Sequence, residues 1–487
     1  MNKQAVIRWL EENKKPFTDL SDAIWDQPEL GYHEFFASKA QADFLAERGF
    51  QIQNDVAGMN TAFIAEWGSG SPVIGFAGEF DALGGLSQKA QPEKEPVEAG
   101  APGHGCGHNL LGVGCMAAAV GLKEWLADNG KSGTVRYYGC PAEEGGAGKT
   151  FMQREGLFSD LDVAFNYHPS SITYASKGSN VGVNHIRYQF HGKTAHAGAA
   201  PYEGRSALDA VELMNVGVNY LREHVTSDVR MHYVITNGGC APNIVPDEAE
   251  VWYYLRAHEP KNLSEVTERV RKIAKGAAMM TETQMEEIFE SATSSTLPNF
   301  TLADLQYEQM KLIGPIQYTE AEKEFARTVN AQLNFTTDKA REMIRKWILS
   351  DETKEEMIEK YLDKPIIGQY FPSLNKGRIA GGSTDVGDLS RTVPCSMLVT
   401  TCYAVGAPGH SWAITAFGRT SIGHKGMMYA AKTMALAAIE CVEHPEIIEK
   451  AWDELRKAQP NGYQNPIPPR IVPPRFDPPS QNLPGCD

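Results

Sequence analysis

Cysteine is sparse in this 487-residue sequence: eight residues (Cys106, Cys115, Cys140, Cys240, Cys395, Cys402, Cys441 and Cys486) lie at irregular spacings. That pattern argues against a disulfide scaffold and predicts reduced thiols in a cytoplasmic protein. Surplus positive charge is missing too, with 46 Lys and Arg against 61 Asp and Glu and a net charge of −15. Nucleic-acid binding rests on basic surface that neutralises phosphates, so no nucleic-acid partner is expected. A small anionic substrate stays compatible, because a few local Arg or Lys side chains can reverse the field inside a cleft. Long apolar runs are also lacking. Met116–Leu122 is interrupted by Lys123, and Lys3, Arg8 and the charges of Glu11–Lys15 break any secretory core. Neither a membrane partner nor a signal segment is therefore expected.

What the sequence does have is length for two domains and a clear alternation of elements. Asn60–Trp67 and Pro72–Ala77 read as strands, Ala117–Ala127 as a helix, and Thr134–Gly139 and Val163–Tyr167 as short buried strands. Such alternation predicts an α/β domain with a mixed, mostly parallel sheet. From Val181 to Glu290 the rhythm changes. His185–Phe190 alternates as a strand, and Leu208, Val211, Met214, Val218, Leu221 and Val225 follow helical spacing. Strand-like Arg230–Asn237 and Glu248–Arg256 come next, then a helix with Leu263, Val266, Val270 and Ile273 on one face, then a strand near Gln284–Phe289. That order, β-α-β-β-α-β, is the split layout of a compact inserted domain. Beyond it, Asp338–Lys360 reads as an exposed helix, Leu398–Val405 as a buried strand and Gly423–Val442 as a closing helix. After Gln459, prolines at 466, 468, 469, 473, 474, 478 and 479 forbid helix or central strand and predict an extended, draped or disordered tail. The expected division is a main domain of residues 1–182 and 292–458, an inserted domain of residues 183–291, and a Pro-rich tail of residues 459–487.

Several segments carry candidate chemistry. In Gly103–Asn109, Cys106 and His108 stand two apart among glycines, so a thiolate and an imidazole could face one ion. The plain alternative is a Gly-rich loop with an incidental buried Cys. Glu143 and Glu144 follow the strand Thr134–Gly139, where one acid could bind metal and the other hold a proton; the alternative is a solvated acidic turn. His168 ends one buried strand, His410 follows another, and Glu79 and Asp81 follow a third. A single strand-end His is an ordinary structural residue, but several such signals together point to one site. The Gly148-Lys149-Thr150 tripeptide invites a phosphate-loop reading, which fails because that pattern needs Gly where Glu143 stands. In the inserted domain, His196 and Asn243 sit in turn-like segments and could close over a cleft to stabilise an oxyanion, or be plain turn residues.

In fixed order, GEFDAL, HGCGHN, PAEEGG, NYHP, GKTAHA, PNIVPDEAE, GGSTDVGD and PGHSW resemble the metallopeptidase family of aminoacylases, carboxypeptidase-G-like enzymes and auxin-conjugate hydrolases. The resemblance spans nearly the whole chain up to about residue 445. It implies an α/β catalytic domain with an inserted ferredoxin-like lid and dimerisation domain. It implies a metal-dependent amidohydrolase acting on N-acyl amino acids, with two divalent ions, Mn²⁺ or Zn²⁺. By the same resemblance Cys106, His108, Glu144, His168 and His410 hold the metals, with Cys106 as the bridge. Glu143 is the general base, His196 and Asn243 contact substrate or oxyanion, and Asp81 supports the site from behind the ligands. A substrate carboxylate needs a basic anchor; Arg256 and Arg205 are the leading candidates beside Lys193 and Arg419, and the sequence does not choose among them. The implied assembly is a homodimer or a hetero-oligomer with a homologous chain. Three other readings stay open: a non-catalytic partner of an active homologue, a dipeptidase of the same fold, and a structural zinc protein with no open coordination position. One departure stands out, Asn109 where related hydrolases carry Asp, which puts the orientation of His108 in question.

Overall fold

Two strand patterns in the sequence become two different sheets in the computed structural model, which describes residues 1–347, 356, 360–361 and 363–478. In chain order the strands are β1 (Gln51–Asn54), β2 (Phe63–Ser69), β3 (Val73–Glu79), β4 (Gly133–Cys140), β5 (Val163–Ser170), β6 (Thr173–Ala175), β7 (Ser179–Asn180), β8 (Gly182–His191), β9 (Arg230–Asn237), β10 (Glu248–Ala257), β11 (Gln284–Thr293), β12 (Tyr370–Phe371), β13 (Ile379–Ala380) and β14 (Cys395–Thr401). Near-continuous apolar runs such as β3 and β5 are buried on both faces. They sit inside an eight-stranded sheet of order β1-β2-β4-β3-β5-β14-β6-β12. Its centre, β4-β3-β5-β14, is parallel, while β1-β2, β2-β4 and β14-β6 are antiparallel. Strands covered on both faces lose nothing by being apolar throughout, as parallel sheets require. β14 stops at Thr401, short of the expected Val405. Cys402 and Tyr403 instead turn to donate to Ser170 O at 2.7 and 3.3 Å.

Alternating strands build the second sheet. In β10, Ala249, Val251, Tyr253 and Leu255 are buried and the residues between them are not. The order β11-β8-β10-β9, antiparallel throughout, has the Ala207–Leu221 and Pro260–Thr281 helices packed on its apolar face. This is the ferredoxin-like arrangement, and its sheet runs from Gly182 to Thr293.

The His108–Asn129 helix is the spine of the main domain, packed on β3, β4 and β5 and against the Ser421–Glu443 helix. It corrects one expectation. At 22 residues it is long and apolar enough, by length and composition alone, to cross a membrane, but its apolar surface is buried in the core. Lys123 does not break it, because the side chain runs outward to Glu124 at 2.8 Å and to the Trp67 ring. Glycine makes the close packing feasible: a β-carbon at Gly112 would lie 2.6 Å from Glu79 O. Within the predicted Asp338–Lys360 helix, the stretch up to Trp347 is helical, and most of the remainder lies outside the described residues. The tail drapes over the main domain up to its last described residue. Asn465 donates to Thr150 O at 2.8 Å, Arg154 donates to Ile471 O at 2.6 Å, and Phe476 packs on His33 with centroids 4.0 Å apart. Cys486 lies outside the described residues, and the seven described cysteines are free.

The lid rests on the main domain through a neutral contact. His185 stacks on Tyr254 (centroids 3.7 Å, 8° between planes), and its Nδ1 lies 2.9 Å from Ser291 Oγ. Ser291 Oγ donates to Gly145 O at 2.7 Å, so the chain of donors runs from imidazole to hydroxyl to carbonyl. Burial holds the His185 pKa down to about 3. In the unfolded chain it returns to about 6.5, so between these values the unfolded state binds more protons. Its stabilisation is therefore complete above about pH 6.5 and is lost as pH falls toward 3, with a limiting slope of about 1.4 kcal/mol per pH unit. Urea unfolding at pH 7 and pH 4.5 should show a smaller acid loss for His185→Gln than for wild type; equal losses would contradict the assignment.

Candidate metal centre

Parallel strands that run side by side end on the same edge, and here that edge carries the chemistry. Glu79 closes β3 and Asp81 follows it, while Glu143 and Glu144 follow β4. His168 lies near the end of β5, and His410 follows β14. Cys106 and His108 arrive from the opposite direction, at the start of the long spine helix. Ala142 and His410 have φ of 56° and 51°, the left-handed region that costs a β-carbon about 1–2 kcal/mol. Such strain sits in the two loops that carry the Glu143–Glu144 pair and His410.

The resulting geometry is a set of overlapping donor groups. The ligand atoms of Cys106, His108 and His168 lie within 4.8 Å of one another, as do those of Cys106, Glu144 and His410, and those of Glu79, His108 and Glu143. Cys106 Sγ is 3.2 Å from His168 Nε2, and His410 Nε2 is 3.4 Å from Glu144 Oε1. Each buried imidazole is oriented from behind. His108 Nδ1 meets Asp81 Oδ1 at 2.9 Å, and His168 Nδ1 meets Pro169 O at 2.8 Å, so both Nε2 atoms face the cluster. Asp81 also accepts from the Glu144 N–H at 2.9 Å, tying one ligand-bearing loop to the other.

Metal ions fit this arrangement on the structure's own terms. His108 Nε2 and Glu144 Oε1 are buried with no hydrogen-bond partner, a costly state that a cation would relieve. A thiolate, imidazoles and carboxylates suit borderline divalent ions, and Cys106 and His108 each belong to two of the three groups, so the groups share donors. Imidazoles braced by a carboxylate or carbonyl are the usual outer support of such ligands. Electrostatics agree. Burial, then the neighbouring Glu79, Glu144 and Asp385 carboxylates, pushes Glu143 well above the ordinary Glu value. Burial likewise raises Glu144. Burial also presses on Asp81, but the His108 imidazole outweighs it and holds Asp81 low.

Several residues reach this centre that sequence reasoning did not single out. Lys149 is fully buried, with Nζ 2.8 Å from Glu79 Oε1 and 2.5 Å from Asp385 Oδ1. Its own N–H donates to Asp385 Oδ2 at 2.8 Å, and Thr150 Oγ1 donates to Asp388 Oδ2 at 2.6 Å. Gly-Lys-Thr, rejected as a phosphate loop, thus binds the paired acids of the GGSTDVGD segment. Glu79 stands between Lys149 and His108 Nε2, the latter at 3.4 Å. Glu34 accepts from Ala142 N–H at 2.7 Å beneath the Glu143 turn, and burial lifts its pKa to about 8.

The other candidates separate. Arg256 lies at the junction of the two domains, donating to Ser383 Oγ at 2.6 Å and to His232 Nε2 at 3.2 Å. Among the described residues no carboxylate lies within ion-pair distance of it. Arg205 is not brought there; it pairs with Glu282 at 2.6 Å on the exposed lid. Arg419 pairs with Asp26 at 2.7 Å on the main-domain surface, and Lys193 is exposed, its backbone bridged to that of Arg205. His196 and Asn243 come close to each other, with Ala197 N–H donating to Asn243 O at 2.9 Å. Both are exposed on the lid, and the His196 ring accepts from its own turn at Gly198 and Ala199. Asn109 points away from the donor cluster, donating to Ser21 Oγ and Gly418 O at 3.0 Å each. His108 takes its orientation from Asp81, so the departure from Asp leaves the donor cluster untouched.

A two-domain hydrolase with a thiolate–imidazole–carboxylate donor cluster is the class that this fold and site define. The peptidase dimerisation domain of the M20 family matches residues 178–280. The chain is 41% identical to the B-type chain of the p-aminobenzoyl-glutamate hydrolase of Escherichia coli, over 95% of this chain and 97% of that protein. It is 32% identical to the Xaa-Arg dipeptidase of Mus musculus, over 64% of this chain and 72% of that one. Among solved structures, a dinuclear metal-binding M20 peptidase of Bacillus subtilis superposes with a TM-score of 0.55 at 18% identity, covering 90% of this chain and 99% of that one, and so shares the fold. The chain belongs to the M20 metallopeptidase family, in the group of the p-aminobenzoyl-glutamate hydrolases, and is a metal-dependent amidohydrolase of N-acyl amino acids.

Two substitutions test the site's supports. Lys149→Met leaves Glu79 and Asp385 buried without their ammonium and should cost about 3–5 kcal/mol in urea unfolding; a loss under about 1 kcal/mol would show the ion pairs to be unimportant. Asn109→Asp sets a buried anion against the Gly418 carbonyl and should cost about 2–4 kcal/mol. Metal content by elemental analysis should not change, and a loss of metal would show that Asn109 bears on the ligands after all.

Proposed function

We propose that the substrate is p-aminobenzoyl-glutamate or a close N-aroyl amino acid, cleaved at its amide bond to p-aminobenzoate and glutamate. The observation that carries the reading is the convergence of Cys106, His108, Glu144, His168 and His410 beside Glu143. The relative of 41% identity, matched over nearly its full length and named for that substrate, supports the choice of acyl group.

Cys106, His108, Glu144, His168 and His410 would hold two divalent ions, Mn²⁺ or Zn²⁺. Bound there, such ions supply Lewis-acid chemistry, making water more acidic and an amide carbonyl more electrophilic. Glu143 takes a proton from the attacking water as its oxygen adds to the carbonyl carbon. It then delivers that proton to the amide nitrogen as the C–N bond breaks, releasing the carboxylate and the amine. Burial and the neighbouring carboxylates raise its pKa above the ordinary Glu value, the direction that makes a carboxylate a stronger proton acceptor. Asp81 keeps His108 in the tautomer that presents Nε2. Arg256, which has no carboxylate partner among the described residues and is partly buried beside the GGSTDVGD segment, is the anchor for the glutamate carboxylate. His196 and Asn243 are held exposed on the lid, so they would serve substrate or oxyanion in a partner's site or after lid movement. A dimerisation domain, and relatives named as the two kinds of chain of one hydrolase, support a homodimer or a pairing with a homologous chain. Free thiols fit a cytoplasmic setting.

The test is hydrolysis of a panel of p-aminobenzoyl-glutamate, indoleacetyl-aspartate, acetyl amino acids and β-alanyl dipeptides by the lone chain, with and without Mn²⁺. Aminobenzoyl-glutamate should lead in kcat/KM; preference for a dipeptide would overturn the substrate. Glu143→Gln should retain its metals and lose about 10²–10⁴-fold in kcat, whereas Cys106→Ala should lose metal. Normal turnover in the first variant would place the base elsewhere.

A further inference from the structure

A cavity of about 950 Å³ opens where the lid joins the main domain, and it contains none of the metal-centre residues. Its walls include Asn184 at the start of β8 and Thr293 at the end of β11, the two strands by which the chain enters and leaves the lid. Arg391 of the main domain, Lys275 of the Pro260–Thr281 helix and Arg470 of the tail complete the lining used here.

The cations of this cavity are not evenly matched. Arg271 is neutralised by Glu287, with Nη2 to Oε1 at 2.6 Å, and by Glu268. Arg391 instead binds neutral acceptors only: Ser295 O at 2.6 Å, Ser295 Oγ at 2.6 Å and Gln459 Oε1 at 3.1 Å. Among the described residues no carboxylate lies within 4.0 Å of Arg391, Lys275 or Arg470. Burial lowers the Arg391 pKa, the mark of a guanidinium poorly compensated where it sits.

Hydrogen-bonding capacity is unmet at the same wall. Asn184, 7% exposed, donates through Nδ2 to Thr267 Oγ1 at 2.9 Å. Thr267 spends its own hydroxyl proton on Leu263 O at 2.7 Å, so it can only accept from Asn184. The amide is thereby held with its oxygen unpartnered, and Thr293 Oγ1, in a residue 5% exposed, is unpartnered too. A buried polar group without a partner costs about 1–3 kcal/mol; Thr293 Oγ1 can donate to a bound oxyanion directly, whereas Asn184 Oδ1 only accepts and would meet it through a water.

We propose that this hinge cavity is a second binding site, for a small oxyanion, with Arg391 at its base and Lys275 and Arg470 at its rim. Carboxylates and phosphates share the required chemistry, a pair of oxygens facing a guanidinium fork. The occupant ties a lid helix to the main domain beside the two connecting strands. It thereby restrains the lid and lowers turnover without competing for the metal centre.

Isothermal titration of the holoenzyme with glutarate and, separately, with inorganic phosphate tests the site. At least one anion should bind once per chain and should still bind after chelation of the metals. Affinity should fall about threefold or more in the double variant Lys275→Ala/Arg470→Ala, whose exposed side chains leave the core intact. It should fall about tenfold or more in Arg391→Gln. Whichever anion binds identifies the source. No binding by either, binding that disappears with the metals, or affinity unmoved in the double variant would overturn the proposal. These readouts do not depend on the substrate proposed above. Turnover at saturating substrate should fall with the binding anion in wild type and not in the double variant; an unchanged kcat at full occupancy would overturn the restraint of the lid.

Discussion

Parallel pairing of β3, β4, β5 and β14 forces their carboxyl ends onto one edge of the sheet, and the donor cluster exists because each of those ends carries an acid or a histidine. None of these side chains would choose such company in isolation. Glu79, Asp81, Glu143, Glu144 and Asp385 gather where water is largely excluded, and Lys149 alone cannot balance them. The fold holds this charge in place through a dense core behind it. The spine helix lies on the sheet closely enough to demand glycine at position 112, and its first turn delivers His108 to Asp81. Divalent ions are the natural counter-charge, and the unpartnered His108 Nε2 and Glu144 Oε1 are atoms that such ions would bind.

The lid obeys a different logic. Its apolar interior joins one buried cluster with main-domain residues such as Phe151 and Leu389, and the neutral His185 and Ser291 bear on the Gly145 carbonyl next to the Glu143–Glu144 pair. A contact of this kind holds position without committing charge, and not every lid cation is spent on a carboxylate elsewhere. Arg256 has no carboxylate within ion-pair distance among the described residues and sets its guanidinium on Ser383. The hinge, by contrast, holds Arg391 on neutral hydrogen-bond acceptors, with Asp388 and Glu259 acting on it only from beyond ion-pair distance. The molecule therefore presents two electropositive positions around its lid, one beside the metal centre and one behind it.

Legibility in the sequence varies with how local each signal is. Apolar runs at β3, β4 and β5 and alternation at β8 and β10 can be read directly, because burial on two faces or one writes itself into neighbouring residues. The spine helix is only partly legible: Lys123 looks like an interruption, but a long charged side chain can reach solvent from a buried stem. The role of Lys149 is hidden, because its partners Glu79 and Asp385 lie far off in the sequence and no periodicity links them. Asn109 looks like a defect in the metal site, yet it turns toward Ser21 and Gly418, an outcome that no spacing rule conveys.

Sequence alone determined the kinds of parts: a strand-end acid pair, a Cys-Gly-His segment, two further histidines, and a β-α-β-β-α-β insert. Those follow from residue chemistry and short-range pattern, which the chain carries wherever it folds. Tertiary structure decided which parts meet. It set Cys106 against His168, placed Arg256 rather than Arg205 at the domain junction, and buried Lys149 between two acids from distant segments. Convergence of that kind depends on strand order and on the crossing of helix over sheet, quantities that belong to the packed chain as a whole and to no single stretch of it.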